Sequence, residues 1–312
     1  MFSVDQRSVV ARDGTRIGYQ VRGEGPAVVL ANGLGGTYVA FKYLYEALAG
    51  QKARSSFELS AERSEVGYKV ICWDYRGLYT SAPPKDPQAN TIVHQVDDLV
   101  AILAQEKVDT FVIAGWSMGV QVALETIRLH RERVRGLYII NGTYGRTFRT
   151  VMGSRIVGRV IPTLLRLIKA QAGLAGRATK IVAGSDALFA AMKRFGLVSP
   201  TIDMEIFRIV ASGFQQIDWA IYSDLLARLD EHDAESVLAT IDVPTAIVTA
   251  SGDLMTPPAT AEHMHRLIKG SRLVMIQGGT HYTPVEYPDV LVEELHRWLD
   301  RIPGWQRAGV AA

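Results

Sequence analysis

The chain has 312 residues, 48% of them apolar and 21% charged, with a formal net charge of +2. This is ample material for a core, and the near-neutral balance argues against a general nucleic-acid binder. A single cysteine, Cys72, excludes an internal disulfide and a multi-cysteine zinc site.

Met1 to Arg7 shows no basic segment followed by an apolar one, so no signal peptide is read, no membrane span is expected, and a cytoplasmic location is expected. Ser8–Arg12 and Thr15–Tyr19 flank Asp13-Gly14, a strong hairpin signal. Pro26–Ala31 is a continuous apolar strand of the kind buried in a parallel sheet. It runs into the glycine-rich loop Asn32-Gly33-Leu34-Gly35-Gly36, and a helix is expected from there to about Leu48. Residues 50–66 are polar with mixed charge and read as a surface insertion. Tyr68–Trp73 is the next strand and ends at Asp74-Tyr75-Arg76-Gly77. A helix is expected near Thr91–Gln105, with Asp97-Asp98 read as a solvated first turn.

Thr110–Ala114 predicts a strand and Val120–Glu125 the start of a helix, with Gly115-Trp116-Ser117-Met118-Gly119 between them. A serine on so sharp a turn has its hydroxyl pushed to the end of the sheet, and small residues two positions either side let the bend close. The Met118 amide then lies at a helix N-terminus, where it can hold a developing negative charge. A strand is expected over Val134–Ile140. Thr143–Thr240 is long, mostly helical and without a clear strand. Strands at Pro244–Thr249 and Arg272–Ile276 then alternate with helices at Ala259–Ile268 and Val290–Asp300. Strands alternating with helices predict an α/β protein with a mainly parallel, helix-covered sheet. The expected division is a core of residues 1–142 and 241–312 with a helical cap, residues 143–240, over the carboxyl edge where ligands usually bind.

On four motifs the chain resembles the α/β-hydrolase fold enzymes: the Asn32 to Gly36 loop, Asp74-Tyr75-Arg76-Gly77, the serine turn, and the loops carrying Asp253 and His281. The resemblance covers roughly residues 4–142 and 241–302. It implies a mostly parallel eight-stranded sheet with the cap inserted after the sixth strand. It also implies a catalytic set in which Ser117 is the nucleophile, His281 the base and Asp253 the acid, in that family's chain order of serine, acid, histidine. The chemistry is coherent in itself. A serine hydroxyl needs a base in hydrogen-bond contact, histidine titrates near neutral pH, and a buried carboxylate fixes the ring's tautomer. The backbone amides of Leu34 and Met118 are the expected oxyanion donors. No cofactor or metal is implied.

Two departures stand out. Asn32 replaces the family's usual histidine, and Leu78-Tyr79-Thr80-Ser81 replaces the usual His-Gly-x-Ser, so a turn glycine is lost. Bland alternatives stand beside the functional ones: Ser117 as a structural turn residue, Asp253 as a helix N-cap before Pro257, His281 as a satisfied loop histidine. Cys72 reads as a small core residue, Asn141 occupies an alternative acid position without being a carboxylate, and the other six histidines read as background.

The expected activity is hydrolysis of carboxylic esters with a hydrophobic acyl group, a small-molecule acyl substrate accommodated by cap residues Met152, Phe189, Met192, Phe195, Phe207, Phe214 and Trp219. A thioesterase, amidase or carbon–carbon bond hydrolase would use the same residues, and a haloperoxidase-like side activity is compatible. A slow-turnover ligand receptor is the alternative from another class. Epoxide hydrolase and haloalkane dehalogenase are disfavoured, because those relatives carry an aspartate at the position of Ser117. The cap is asymmetric: residues 143–200 hold ten Lys or Arg and one acid, and residues 201–240 hold eight acids and two Arg. Arg155, Arg159, Arg166 and Lys169 fall on one helical face, with Ile156, Val160, Leu164, Leu167 and Ile168 on or near the other. This predicts either a solvated face paired with the acidic half or weak association with a membrane surface, and Pro162 is expected to break or kink the helix. Oligomeric state is left open.

Overall fold

The computed structural model describes residues 4–49, 67–150, 155–183, 185–303 and 305. The predicted insertion at 50–66 and Met152 lie outside them. The Asp13-Gly14 turn joins β1 (Asp5–Val10) to β2 (Arg16–Arg22) in an antiparallel hairpin that pairs Val10 with Arg16, as the dipeptide predicts. Then follow β3 (Ala27–Ala31), α1 (Lys42–Leu48), β4 (Lys69–Trp73), α2 (Ile92–Gln105), β5 (Phe111–Ser117), α3 (Met118–His130) and β6 (Val134–Gly142). The strands form one eight-stranded sheet in the order β1-β2-β4-β3-β5-β6-β7-β8, where β7 is Thr245–Ala250 and β8 Arg272–Ile276. Only the pairings of β2 with β1 and β4 are antiparallel.

Alternate residues of the central strands serve two cores. Val29, Ile113, Leu137 and Ile139 face α2 and α3, whose inward stripe includes Val96, Leu99, Ile102, Val120 and Leu124. Val28, Leu30, Val112, Tyr138 and Ile140 face α1 and the helix Pro288–Leu299, through Leu44, Leu48, Leu295 and Trp298. Burial on both faces explains why these strands read as unbroken apolar runs. Cys72 is fully buried in the second core, as expected of a small core residue.

Between β6 and β7 come α4 (Thr147–Thr150), α5 (Arg155–Ala170), α6 (Ala172–Val182), α7 (Asp186–Arg194), α8 (Met204–Gly213), α9 (Trp219–Glu231) and α10 (Glu235–Leu238). An isolated bridge, Gly145 to Asp233, ties the start of this stretch to its end. The chain closes with α11 (Pro258–Leu267), α12 (Thr283–Glu286) and α13 (Pro288–Leu299). Two expectations are corrected. Helix α5 continues through Pro162 rather than breaking there. Asp98 is not in a solvated turn: it is fully buried in the middle of α2, where both its oxygens accept from Arg76 at 2.6 and 2.7 Å. No helix among the described residues is long and apolar enough to cross a membrane.

Candidate active site

Sheet order places the site. β3 sits between β4 and β5, so the loops leaving β3 and β5 depart on opposite sides and open a crevice at their carboxyl ends. The Asn32–Gly36 loop leaves β3 there, and Ser117 ends β5.

Ser117 has φ 56° and ψ −117°, a strained backbone for a residue with a Cβ. The bend closes only because its neighbours are small. A Cβ on Gly115 would lie 2.4 Å from the Gly119 carbonyl oxygen, and one on Gly119 would lie 1.9 Å from that of Ala31. Helix α3 begins at Met118, so the amide of that residue lies outside the helical ladder. The glycine loop lies directly against the serine: a Cβ on Gly33 would be 3.2 Å from the Cβ of Ser117. Tyr75 Oη fixes the loop's start by donating to the Asn32 carbonyl at 2.6 Å. Leu34 packs half-buried against the first core.

Ser117, His281 and Asp253, drawn from positions up to 164 residues apart, meet at this crevice. His281 Nε2 is 2.9 Å from Ser117 Oγ, and its Nδ1 is 2.9 Å from Asp253 Oδ2. Asp253 also ties its own loop, since its Oδ1 accepts from the amides of Met255 and Thr256, both at 2.8 Å. It is not a helix N-cap, a position held by Pro257 for α11. Burial alone would raise the Asp253 pKa. The neighbouring His281, the Thr256 amide and Asn141 outweigh it and hold the carboxyl below the usual carboxylate range. An ionised Asp253 accepts from Nδ1–H, which leaves Nε2 free to accept from the serine hydroxyl.

Several residues support the relay in ways the sequence did not assign. Asn141 Nδ2 donates to Asp253 Oδ2 at 2.7 Å, and Thr256 Oγ1 donates to the same oxygen at 2.7 Å. Asn141 stands where an acid was considered, and it adds a donor to the acid that is present. Trp116 Nε1 donates to the His281 carbonyl at 2.9 Å, and its ring lies 5.9 Å from the imidazole. Buried Glu286 accepts from Thr280 N and Oγ1 and from Ser199 N, and so anchors the histidine loop to the cap side. Asn141 and Trp116 act across 112 and 165 residues, beyond any local motif, whereas Thr256 and Glu286 lie three and six residues from the Asp253 and Thr280 they bond.

The lost turn glycine has a structural answer. Tyr79 takes φ 49°, the left-handed conformation in which a glycine is at ease, and its hydroxyl donates to the Gly35 carbonyl at 2.5 Å. Asn32, in place of the usual histidine, donates to Cys72 Sγ at 3.1 Å.

An apolar cavity of about 420 Å³ lies among the helices inserted between β6 and β7, walled by Met192, Phe207, Val210, Phe214, Trp219 and Tyr282, among others. Tyr282 follows His281 in the chain, and Phe214 sits over Gly35, so close that a Cβ there would be 2.7 Å from its ring. The cavity therefore abuts the crevice. Of the other aromatic cap residues noted in the sequence, Phe189 is buried against Phe207 and Phe195 is exposed, and neither borders the cavity. Four of the other six histidines are engaged elsewhere: His232 with Glu125 and Gln121, His263 with Glu235, His265 with Ser271 and His94 with Thr91.

A family model described as "Alpha/beta hydrolase family" matches residues 28–294. A pimeloyl-[acyl-carrier protein] methyl ester esterase of Neisseria meningitidis is 28% identical over 54% of this chain, a match that spans only 61% of the relative's own length. The enol-lactonase of Burkholderia xenovorans superposes with a TM-score of 0.71 at 20% identity, covering 95% of this chain and all of that one. A thermophilic esterase of Thermogutta terrifontis gives 0.70 at 19% identity over 96% of this chain and 99% of its own.

Proposed function

The chain belongs to the alpha/beta hydrolase family, and from that premise we propose that it is a serine hydrolase that cleaves carboxylic esters with a hydrophobic acyl group. The observation that carries this reading is the unbroken hydrogen-bond relay from Ser117 through His281 to Asp253, with the serine held in a strained turn beside the glycine loop.

In this mechanism His281 Nε2 takes the Ser117 proton as Oγ attacks the ester carbonyl. Asp253 stabilises the imidazolium that forms. The amides of Met118 and Leu34 receive the oxyanion, each such donor being worth about 3–4 kcal/mol of barrier. His281 then protonates the departing alcohol, leaving an acyl-enzyme on Ser117. Water enters, gives a proton to the same nitrogen and attacks the acyl carbon. Collapse returns the proton to Oγ and releases the acid. The apolar cavity supports the choice of a hydrophobic acyl group. The ester named for the Neisseria relative and the lactone named for the Burkholderia enzyme agree with an acyl–oxygen bond as the target.

The test is paired. A fluorophosphonate probe is expected to label the protein and not a Ser117→Ala variant. Chromogenic acyl esters are expected to turn over many times, with the variant at least about 1000-fold slower. Release that stops near one equivalent identifies a receptor instead. Turnover of matched amides or thioesters ahead of esters moves the assignment to those classes.

A further inference from the structure

Helices α5 and α6 turn apolar side chains outward. The inner side of α5 is marked by Pro162 and Leu165, which border a groove with Ser223 and Ala227 of α9. Val160, Leu164 and Leu167, spaced four and three apart, lie on the opposite side and are 57%, 50% and 60% exposed. In α6 the corresponding residues are Leu174 and Ile181, 60% and 80% exposed. An amphipathic helix on a globular protein normally turns its apolar stripe to the core. Here the stripe faces solvent, and α6 also packs on α9, so both stripes lie on the sides turned away from that helix.

Cations border these stripes. Arg159 and Arg166 stand between the α5 row and the groove against α9, which Arg166 also borders, and Arg177 and Lys180 fall within and beside the α6 row, all exposed. Among the described residues Arg159, Arg166, Arg177 and Lys180 form no ion pair, whereas Lys169 is held by Asp224. Asp186, the one acid among residues 143–200, is paired with Arg208.

We propose that the solvent face of α5 and α6 docks on an anionic lipid surface. Val160, Leu164, Leu167, Leu174 and Ile181 would enter the boundary of the acyl chains, and the four cations would lie among the headgroup phosphates. Charge selects this occupant. A second copy meeting the same face about a two-fold axis would set like cations against each other. Val182, 46% exposed, also lines the apolar cavity, so the docked face adjoins the cavity wall. Delivery of acyl substrate from the bilayer rests on the ester-hydrolase reading; docking itself does not.

Flotation of the Ser117→Ala protein with vesicles separates the two. With phosphatidylcholine vesicles holding roughly 30% phosphatidylglycerol, the protein is expected to float, and to do so about tenfold less at high salt or with pure phosphatidylcholine. Leu164→Gln with Leu167→Gln is expected to reduce binding about tenfold or more at an unchanged Tm. Arg159→Gln with Arg166→Gln is expected to remove most of the preference for anionic vesicles. The proposal is overturned if the parent does not float, if the leucine variant floats like the parent, or if lipid-free protein forms a dimer that the leucine variant dissociates. Failure of the protein with Ser117 intact to turn over esters, with flotation of Ser117→Ala as expected, counts only against the hydrolase reading.

Discussion

Asn141 and Tyr79 show how single side chains set the site. Asn141 shares the Asp253 carboxylate with His281 and also accepts from Thr283, and it has a left-handed backbone, φ 40°, that asparagine tolerates. The Asp253 carboxyl titrates below the usual carboxylate range in the folded chain. Its ionised form therefore stabilises the fold above that range, and the stabilisation is lost as pH falls through the folded-state value. Asn141→Ala removes one donor and moves the carboxyl back up. The variant is expected to be about 1–3 kcal/mol less stable near neutral pH, and the gap should narrow below about pH 4. Urea midpoints at about pH 7 and pH 3 measure it; a gap that does not change with pH would assign Asn141 a purely structural role. Tyr79→Phe keeps the ring and the turn but loses the hydrogen bond to Gly35. Slackening the loop that carries the Leu34 amide is expected to lower kcat about two- to tenfold with little change in KM or Tm. A change in KM alone would place Tyr79 in substrate binding instead.

Elements differ in how far they could be read. β3, β5 and α2 were legible because their signal is local: an apolar run or a helical period between turn residues. The serine turn was legible because its glycines are adjacent in sequence to what they permit. Asp98 was misread because the partner that justifies its burial, Arg76, lies on another element 22 residues away. The same distance effect hid the role of Asn141, 112 residues from Asp253, whereas Thr256 and Glu286 bond neighbours three and six residues away and were hidden because no local pattern reports which way a loop side chain turns. In α5 the apolar period was visible, but whether the stripe meets the core depends on where α9 packs, and no local pattern reports that. The Arg76–Asp98 pair carries its own prediction. Arg76 is 1% exposed and also reaches Asp13 in the hairpin turn and the Ala89 carbonyl, so it joins three segments. Arg76→Leu leaves a buried carboxylate without its cation and is expected to cost about 3–5 kcal/mol. Arg76→Leu with Asp98→Leu removes both charges and should regain most of that loss. Chemical denaturation of the three proteins checks the order, and a double variant no better than the single one would show that the pair's other contacts dominate.

For the molecule as a whole, the sheet and the helices inserted after β6 divide the work. The sheet holds Ser117, His281 and Asp253 at loop ends; the inserted helices supply the roof of an apolar cavity that abuts them. On the proposed ester-hydrolase reading, acyl preference could change without touching the relay, because Ala211 on α8 and Val182 on α6 line the cavity and share no hydrogen bond with Ser117, His281 or Asp253. Ala211→Phe fills part of the space while leaving Ser117, His281 and Asp253 in place. If the acyl chain occupies the cavity, the variant is expected to hydrolyse p-nitrophenyl acetate at close to the parent rate and to lose about tenfold or more in kcat/KM toward p-nitrophenyl octanoate, since excluding several methylenes forfeits about 0.8 kcal/mol each. An equal loss toward both esters would mean that the substitution disturbs the relay through the cap, and an unchanged octanoate rate would place the acyl chain elsewhere in the crevice. Comparing the two esters on one variant cancels any general effect of the substitution on folded protein concentration, so the ratio reports where the chain lies.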